Sequence, residues 1–230
     1  MTSQQPPSNV SYLEAAPRQV PGLPGLHRML SMLLRERTPS NARILVVGAG
    51  GGMEIKVLAE AQPGWTFDGV DPSSDMLRLA EWTLAPHAAR VTLHQGFIDD
   101  APDVAFDAAV CLLTFHFIAR EERLKTLKQI YRRLQPGAPF VIAHISFPQT
   151  EPQRSLWLAR HAAYGLADDT DPAVLERARD ALSTRLTILE PAEEEAMLRE
   201  AGFSDVSLFW AAFSFKGWVA YVPHESAQQR

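Results

Sequence analysis

The sequence predicts an α/β fold: a doubly wound, mostly parallel sheet of seven strands, closed by a C-terminal antiparallel hairpin and carrying a helical lid insertion. Three observations predict it. Short apolar, β-branched runs alternate with helical periodicity from residue 42 to 145. A glycine-rich turn joins the first such run to the first crossover helix. The chain ends in two aromatic-rich β runs with too little chain between them for a crossover, which requires an antiparallel pair. Strands that alternate with helices imply right-handed crossovers and a sheet covered on both faces.

Residues 1–11 are polar and hold Pro6 and Pro7, so a loose terminus is expected there. Leu26, Met29, Leu30, Leu33 and Leu34 recur at helical spacing with Arg28, Arg35 and Arg37 opposite, until Pro39 ends the pattern. Residues 42–47 form the first strand, which stops at Gly48-Ala49-Gly50-Gly51-Gly52; helical period resumes at Met53. Residues 66–70 are a second strand, 71–75 a turn with a hydroxyl N-cap, and 76–84 a second helix. Strands are expected over 91–94, 105–113 and 140–145, with a helix over 120–134 stopped by Pro136-Gly137. Two helical segments, 156–166 and 172–182, then follow one another without a strand, which predicts the insertion over 148–185. A last helix over 193–201 precedes β runs at 206–211 and 213–221. The expected organisation is an N-terminal extension, 1–24, and a single domain, 25–230.

The chain has 230 residues, 46% hydrophobic and 21% charged, a composition that builds a globular core and excludes disorder and collagen-like repeats. A net charge of −5 provides no basic field for a phosphate backbone, so direct nucleic-acid binding is not expected. One cysteine, Cys111, makes neither an intramolecular disulfide nor a zinc cage, and no metal site is expected. No apolar run reaches the roughly 18 residues of a membrane span, so no membrane contact and a cytoplasmic location are expected.

A glycine turn between strand and helix sets backbone N–H groups at the carboxyl edge of the sheet, where a nucleotide-like ligand fits. Gly48, Gly50 and Gly52 allow close backbone approach, although such a turn is as often purely structural. Met53 stands where a dinucleotide fingerprint has its third glycine, which disfavours NAD, and no Lys-Ser/Thr pair follows to make a P-loop. Asp71 falls about twenty residues on, where an acid accepts both hydroxyls of a ribose. Taken alone it caps the turn nearly as well; the two features together point to the ligand.

The runs ILVVGAGGG (44–52), FDGVDPSSDML (67–77), FDAAVCLLTFHFI (106–118) and IYRRLQPGAPFVI (130–142), with the terminal hairpin, resemble class I S-adenosylmethionine-dependent methyltransferases. The resemblance implies a Rossmann-like fold, S-adenosyl-L-methionine as cofactor and a seventh strand inserted antiparallel. RQVPGLPGLHRMLSMLL (18–34) and AGFSDVSLFWAAFSFKGWVAY (201–221) are similar to the ends of carboxy-S-adenosylmethionine synthases. Against that branch, Leu23, Phe97 and Leu112 stand where it has tyrosine, aspartate and asparagine, while Arg179 falls near its carboxylate-binding arginine. Against the broader pattern, Val46 replaces the acid that holds the cofactor's amino group, and Phe97 the acid beside the adenine.

The resemblance assigns cofactor contacts to Gly48, Ala49, Gly50, Gly52, Asp71, Pro72, Met76, Phe97, Ile98 and Leu112, with Asp99 or Asp100 reaching the adenine amine. Thr114, His116 and Phe117 are expected at the end of the fourth strand, facing the sulfonium, with Thr114 and Arg179 as acceptor contacts. His116 is the first candidate base and His144 the second; each is as readily a packed, bonded histidine. The segment WLARHAAY (157–164), with Arg154, is a candidate pocket wall or a solvated helix. Phe209, Trp210, Phe213, Phe215, Trp218 and Tyr221 alternate along the hairpin; the outward set is a homodimer surface or a pocket wall unless it packs in the core. The leading expectation is methyl transfer to a small molecule. The alternatives are carboxy-S-adenosylmethionine synthesis and a noncatalytic cofactor-binding protein.

Overall fold

The computed structural model describes residues 7–166 and 170–224; part of the loose terminus read over 1–11 lies outside them. The strands are β1 (Arg43–Val47), β2 (Thr66–Asp71), β3 (Val91–Gln95), β4 (Ala108–Leu112), β5 (Pro139–Ile145), β6 (Ser204–Ala212) and β7 (Phe215–Tyr221). They form one sheet in the order β3-β2-β1-β4-β5-β7-β6. The first five are parallel, and β7 is antiparallel to both β5 and β6, as the hairpin requires. The strand order reverses between β1 and β4, and at such a point the crossovers leave on opposite faces and open a crevice at the carboxyl edge.

The helices are α1 (Ser11–Gln19), α2 (Leu23–Arg35), α3 (Met53–Ala61), α4 (Ser74–Thr83), α5 (Arg120–Tyr131), α6 (Gln153–Tyr164), α7 (Pro172–Arg185) and α8 (Pro191–Glu200). Alternation along the strands divides the core into two layers. Ile44, Val46, Val110 and Ala143 pack with α1, α2 and α3, whereas Leu45, Cys111, Phe140 and Ile142 pack with α5 and α8. Cys111 is a fully buried hydrophobe whose thiol pKa is pushed up by burial.

Two sequence boundaries shift. The extension read over 1–24 is no appendage: Ala16, Val20 and Leu23 are buried in the first core layer, and α2 runs through the proposed boundary. β4 starts later than expected, because Phe106 makes only an isolated bridge to Leu134, and stops where Leu113 turns left-handed at φ +57°. The insertion forms α6 and α7 as expected and stacks on the hairpin tip. Trp157 lies against Phe147 and Phe213, Tyr164 against Phe213, and His161 Nδ1 is 2.6 Å from Ser214 Oγ. The hairpin aromatics mostly turn inward: Trp210, Phe215 and Trp218 are buried, and Phe213 is 41% exposed.

Candidate active site

The glycine turn is tied to the tip of β2. Gly48 N and Ala49 N donate to Val70 O at 2.8 and 3.0 Å, and Gly50 N donates to Asp71 Oδ2 at 2.9 Å. Gly48 has φ +73°, and a Cβ there would collide with the Thr114 side chain, so the turn can lie this close to the β4 loop only as glycine. Gly52, at φ +81°, starts α3 and packs against Leu84 and Ala80. Asp71 also accepts from Ser73 N at 2.9 Å. A carboxylate offers about four acceptor sites, so two remain for ligand hydroxyls.

Above this turn lies a cavity of about 760 Å³, within the roughly 300–1,000 Å³ typical of small-molecule sites. Its floor is Gly48, Gly50, Gly51, Asp71 and Pro72; Met76, Ile98 and Leu112 form apolar walls. Phe97, 71% exposed, and Phe117, 67% exposed, stand at its rim, and Leu113 and Thr114 form the lip over β4. Thr114 Oγ1 donates to Leu112 O at 3.0 Å, which fixes its rotamer beside Gly48. Asp99 lines the cavity with Lys125 3.5 Å away, but Asp100 is turned back to accept from Phe97 N at 2.9 Å and is not on the wall.

The structure thus brings together Gly48, Gly50, Asp71, Pro72, Met76, Phe97, Ile98, Leu112 and Thr114. Ala49 is buried beneath the turn, and Gly52 faces α4, so neither lines the cavity. His116 and His144, expected at the reacting edge, do not line it either. His116 is buried, with its Nδ1 3.4 Å from Ile145 N. Burial, then the neighbouring His144, His161 and Arg123, hold its pKa well below 6.5. His144 is fully buried between Phe115 and Trp218, its Nε2 2.9 Å from Glu194 Oε1. Glu194 also pairs with the buried Arg123, whose guanidinium reaches the carbonyls of Ile118 and Thr187. Burial pushes the Glu194 carboxyl up, but His144 and Arg123 outweigh it and hold it below its usual range.

Arg179 lies on α7, paired with Asp180 and Glu176, and no described residue of 148–185 reaches the cavity wall. The insertion sits over β5 and β7 while the cavity sits over β1, β2 and β4, so α6 and α7 do not roof it. Arg160 is stacked on Trp157 and is not a pocket residue.

Tyr12 and Glu54 are among the cavity residues that escaped the sequence reading. Tyr12, on α1, has its hydroxyl pKa pushed up to about 12 by burial and by Glu54 and Asp71. Glu54, in the first turn of α3, is only 7% exposed and lies 3.5 Å from His27 Nε2 on α2. The signal for Glu54 was an acid directly after the glycine turn; Tyr12 had none, because α1 has no motif.

Residues 45–140 match the family model described as a methyltransferase domain. The carboxy-S-adenosyl-L-methionine synthase of Actinobacillus succinogenes is 24% identical over 208 residues, 88% of this chain and 86% of the relative. A putative O-methyltransferase of Nostoc punctiforme superposes with a TM-score of 0.64 at 18% identity, over 86% of this chain and 56% of that one. Human N-acetylserotonin methyltransferase, solved in complex with S-adenosylmethionine, gives 0.56 at 15% identity, over 94% and 58%. This chain therefore spans little more than half the length of those two structures. The glycine turn, the acid at the tip of β2 and the antiparallel β7 fit the domain match and the relatives: residues 45–140 carry a methyltransferase domain, and the chain is similar to S-adenosylmethionine-dependent enzymes of class I methyltransferase fold, which take S-adenosyl-L-methionine as cofactor.

Proposed function

We propose that the chain transfers a methyl group from S-adenosyl-L-methionine to a small-molecule acceptor in the cytoplasm. The observation that carries this reading is the cavity at the reversal point of the sheet, which joins Asp71 and the glycine turn to an open apolar rim. Asp71 holds the ribose, the turn at Gly48 and Gly50 receives the amino-acid portion, and Phe97, Ile98 and Leu112 enclose the adenine. When bound, the cofactor supplies a methyl group on a positively charged sulfur. Thr114, Phe117 and Ile118 then form the wall against which an acceptor is oriented and from which water is excluded.

The two histidines are packed away from the cavity, so catalysis rests on positioning rather than on either of them as base. Among the described residues no helix is long and apolar enough to cross a membrane. Incubation with methyl-labelled cofactor and a metabolite extract tests the reading. Label in a small molecule together with S-adenosylhomocysteine is the expected result; label confined to macromolecules would refute the acceptor class.

Synthesis of carboxy-S-adenosylmethionine is the second reading, favoured by the relatives that bear that name. Arg179 gives it no support, being paired on the surface of α7. Mass spectrometry of the cofactor after incubation separates the two, since only the synthase makes a carboxylated cofactor.

A further inference from the structure

We propose that Glu54, backed by His27 and sharing the cavity lining with Tyr12, is the carboxylate that receives the α-ammonium group of the cofactor's amino-acid portion. The assignment rests on the reading of this cavity as the cofactor site, and it says which side chain performs a task that β1 cannot, because Val46 turns into the apolar core.

Two buried acids line the cavity, and their surroundings differ. Asp71 accepts from Gly50 N and Ser73 N. Among the described residues Glu54 accepts from no backbone donor, and the imidazole of His27 lies 3.5 Å away without an aligned hydrogen bond. A carboxylate withdrawn from water with one distant partner is unfavourable unless a further cation or donor arrives. The first turn of α3 favours a negative side chain through the helix dipole, which accounts for an acid at this position. It does not account for a side chain nine-tenths buried and set in the cavity wall.

Tyr12 completes the arrangement. A tyrosine phenol is protonated at neutral pH, and here burial, then Glu54 and Asp71, raise its pKa further, so it keeps an oxygen that accepts from an ammonium and a proton that donates to a carboxylate. Gly50 and Gly51 lie on the cavity floor, Gly50 bonded to Asp71 and the pair leading through Gly52 into the first turn of α3, so the amino-acid end of a ligand whose ribose is on Asp71 arrives near Glu54. The ligand selected is an adenosyl amino acid with a free amino group, and adenosine thioethers without that group are discriminated against.

Calorimetric titration of the full chain tests this with S-adenosylhomocysteine, its analogue lacking the α-amino group, and 5′-methylthioadenosine. Because the sulfur of S-adenosylhomocysteine is uncharged, any effect of Glu54 on it reports the ammonium and not a sulfonium. Wild-type protein should bind S-adenosylhomocysteine about tenfold or more tightly than the deaminated analogue, the scale of a charge-assisted contact. Glu54→Gln should erase that difference and leave 5′-methylthioadenosine within about twofold, since that ligand never meets Glu54. Equal wild-type affinity for the aminated and deaminated ligands overturns the assignment without need of a variant that folds. A Glu54→Gln protein that still prefers the amino group overturns it too. If S-adenosylhomocysteine does not bind the wild type at all, the cofactor reading of the cavity falls first and takes the assignment with it.

Discussion

Beside β1 and β2, Asp71 and Glu54 are buried acids that face a cavity; beyond β4 and β5, His116 and His144 are buried bases that face packed protein. All four lie at or just past the carboxyl ends of strands or in the first turn of a crossover helix, the places where functional side chains gather in an open α/β sheet. What separates them is what covers each part of the edge. Between β1 and β4 the crossovers diverge and nothing fills the gap. Over β5 the chain returns: Thr187 N donates to His116 O at 2.9 Å, Ser146 Oγ donates to Leu189 O at 2.9 Å, and Glu194 on α8 reaches Arg123 and His144. A polar residue at a strand end is thus a site only where no later segment closes above it.

The comparison is broken most directly on its closed side. Glu194→Ala leaves the Arg123 guanidinium buried without its partner and should lower stability to urea by about 3–5 kcal/mol, with S-adenosylhomocysteine affinity unchanged in the folded protein. Lost affinity at unchanged stability would move the ionic cluster into the site. On the open side, Gly48→Ala forces a side chain into the left-handed region and against Thr114, and should cost about 1–3 kcal/mol in denaturant titrations while weakening the cofactor.

The histidines give an intermediate effect. A folded-state pKa held below 6.5 means that the unfolded chain takes up a proton first, so the stability tied to a neutral His116 is present above pH 6.5 and is lost as pH falls below it. His161, lowered by burial, acts with the same sign. Stability to thermal unfolding should therefore fall from pH 7 to pH 5.5, by at most about 1.4 kcal/mol per pH unit for each histidine, and His116→Gln should flatten the slope. An unchanged slope would place His116 in contact with water. Phe97→Ala should have the smallest effect, within about 0.5 kcal/mol in stability because the ring is exposed, and about a two- to tenfold loss of adenosyl-ligand affinity in calorimetry.

The open side was more legible in the sequence than the closed one. Asp71, the glycine turn and the end of β2 announce themselves locally, through strand period, glycine and spacing. Tyr12 does not, since its place in the cavity lining depends on how α1 packs, and α1 begins in a segment read as partly loose. The fates of His116 and His144 depend on a segment some forty to seventy residues downstream, and no local pattern around either histidine encodes it. The insertion was legible as two helices but not as to where it rests, because the aromatic contacts that fix it, Trp157 and Tyr164 on Phe213, are long-range.

Asp71 holds the account together, and calorimetric titration of S-adenosylhomocysteine into the wild type and Asp71→Ala tests it most directly. The account predicts saturable binding to the wild type and a loss of about ten- to a hundredfold in the variant, the scale of hydrogen bonds lost from a charged group. Equal affinity in the two proteins, or no binding to the wild type at millimolar ligand, would contradict it.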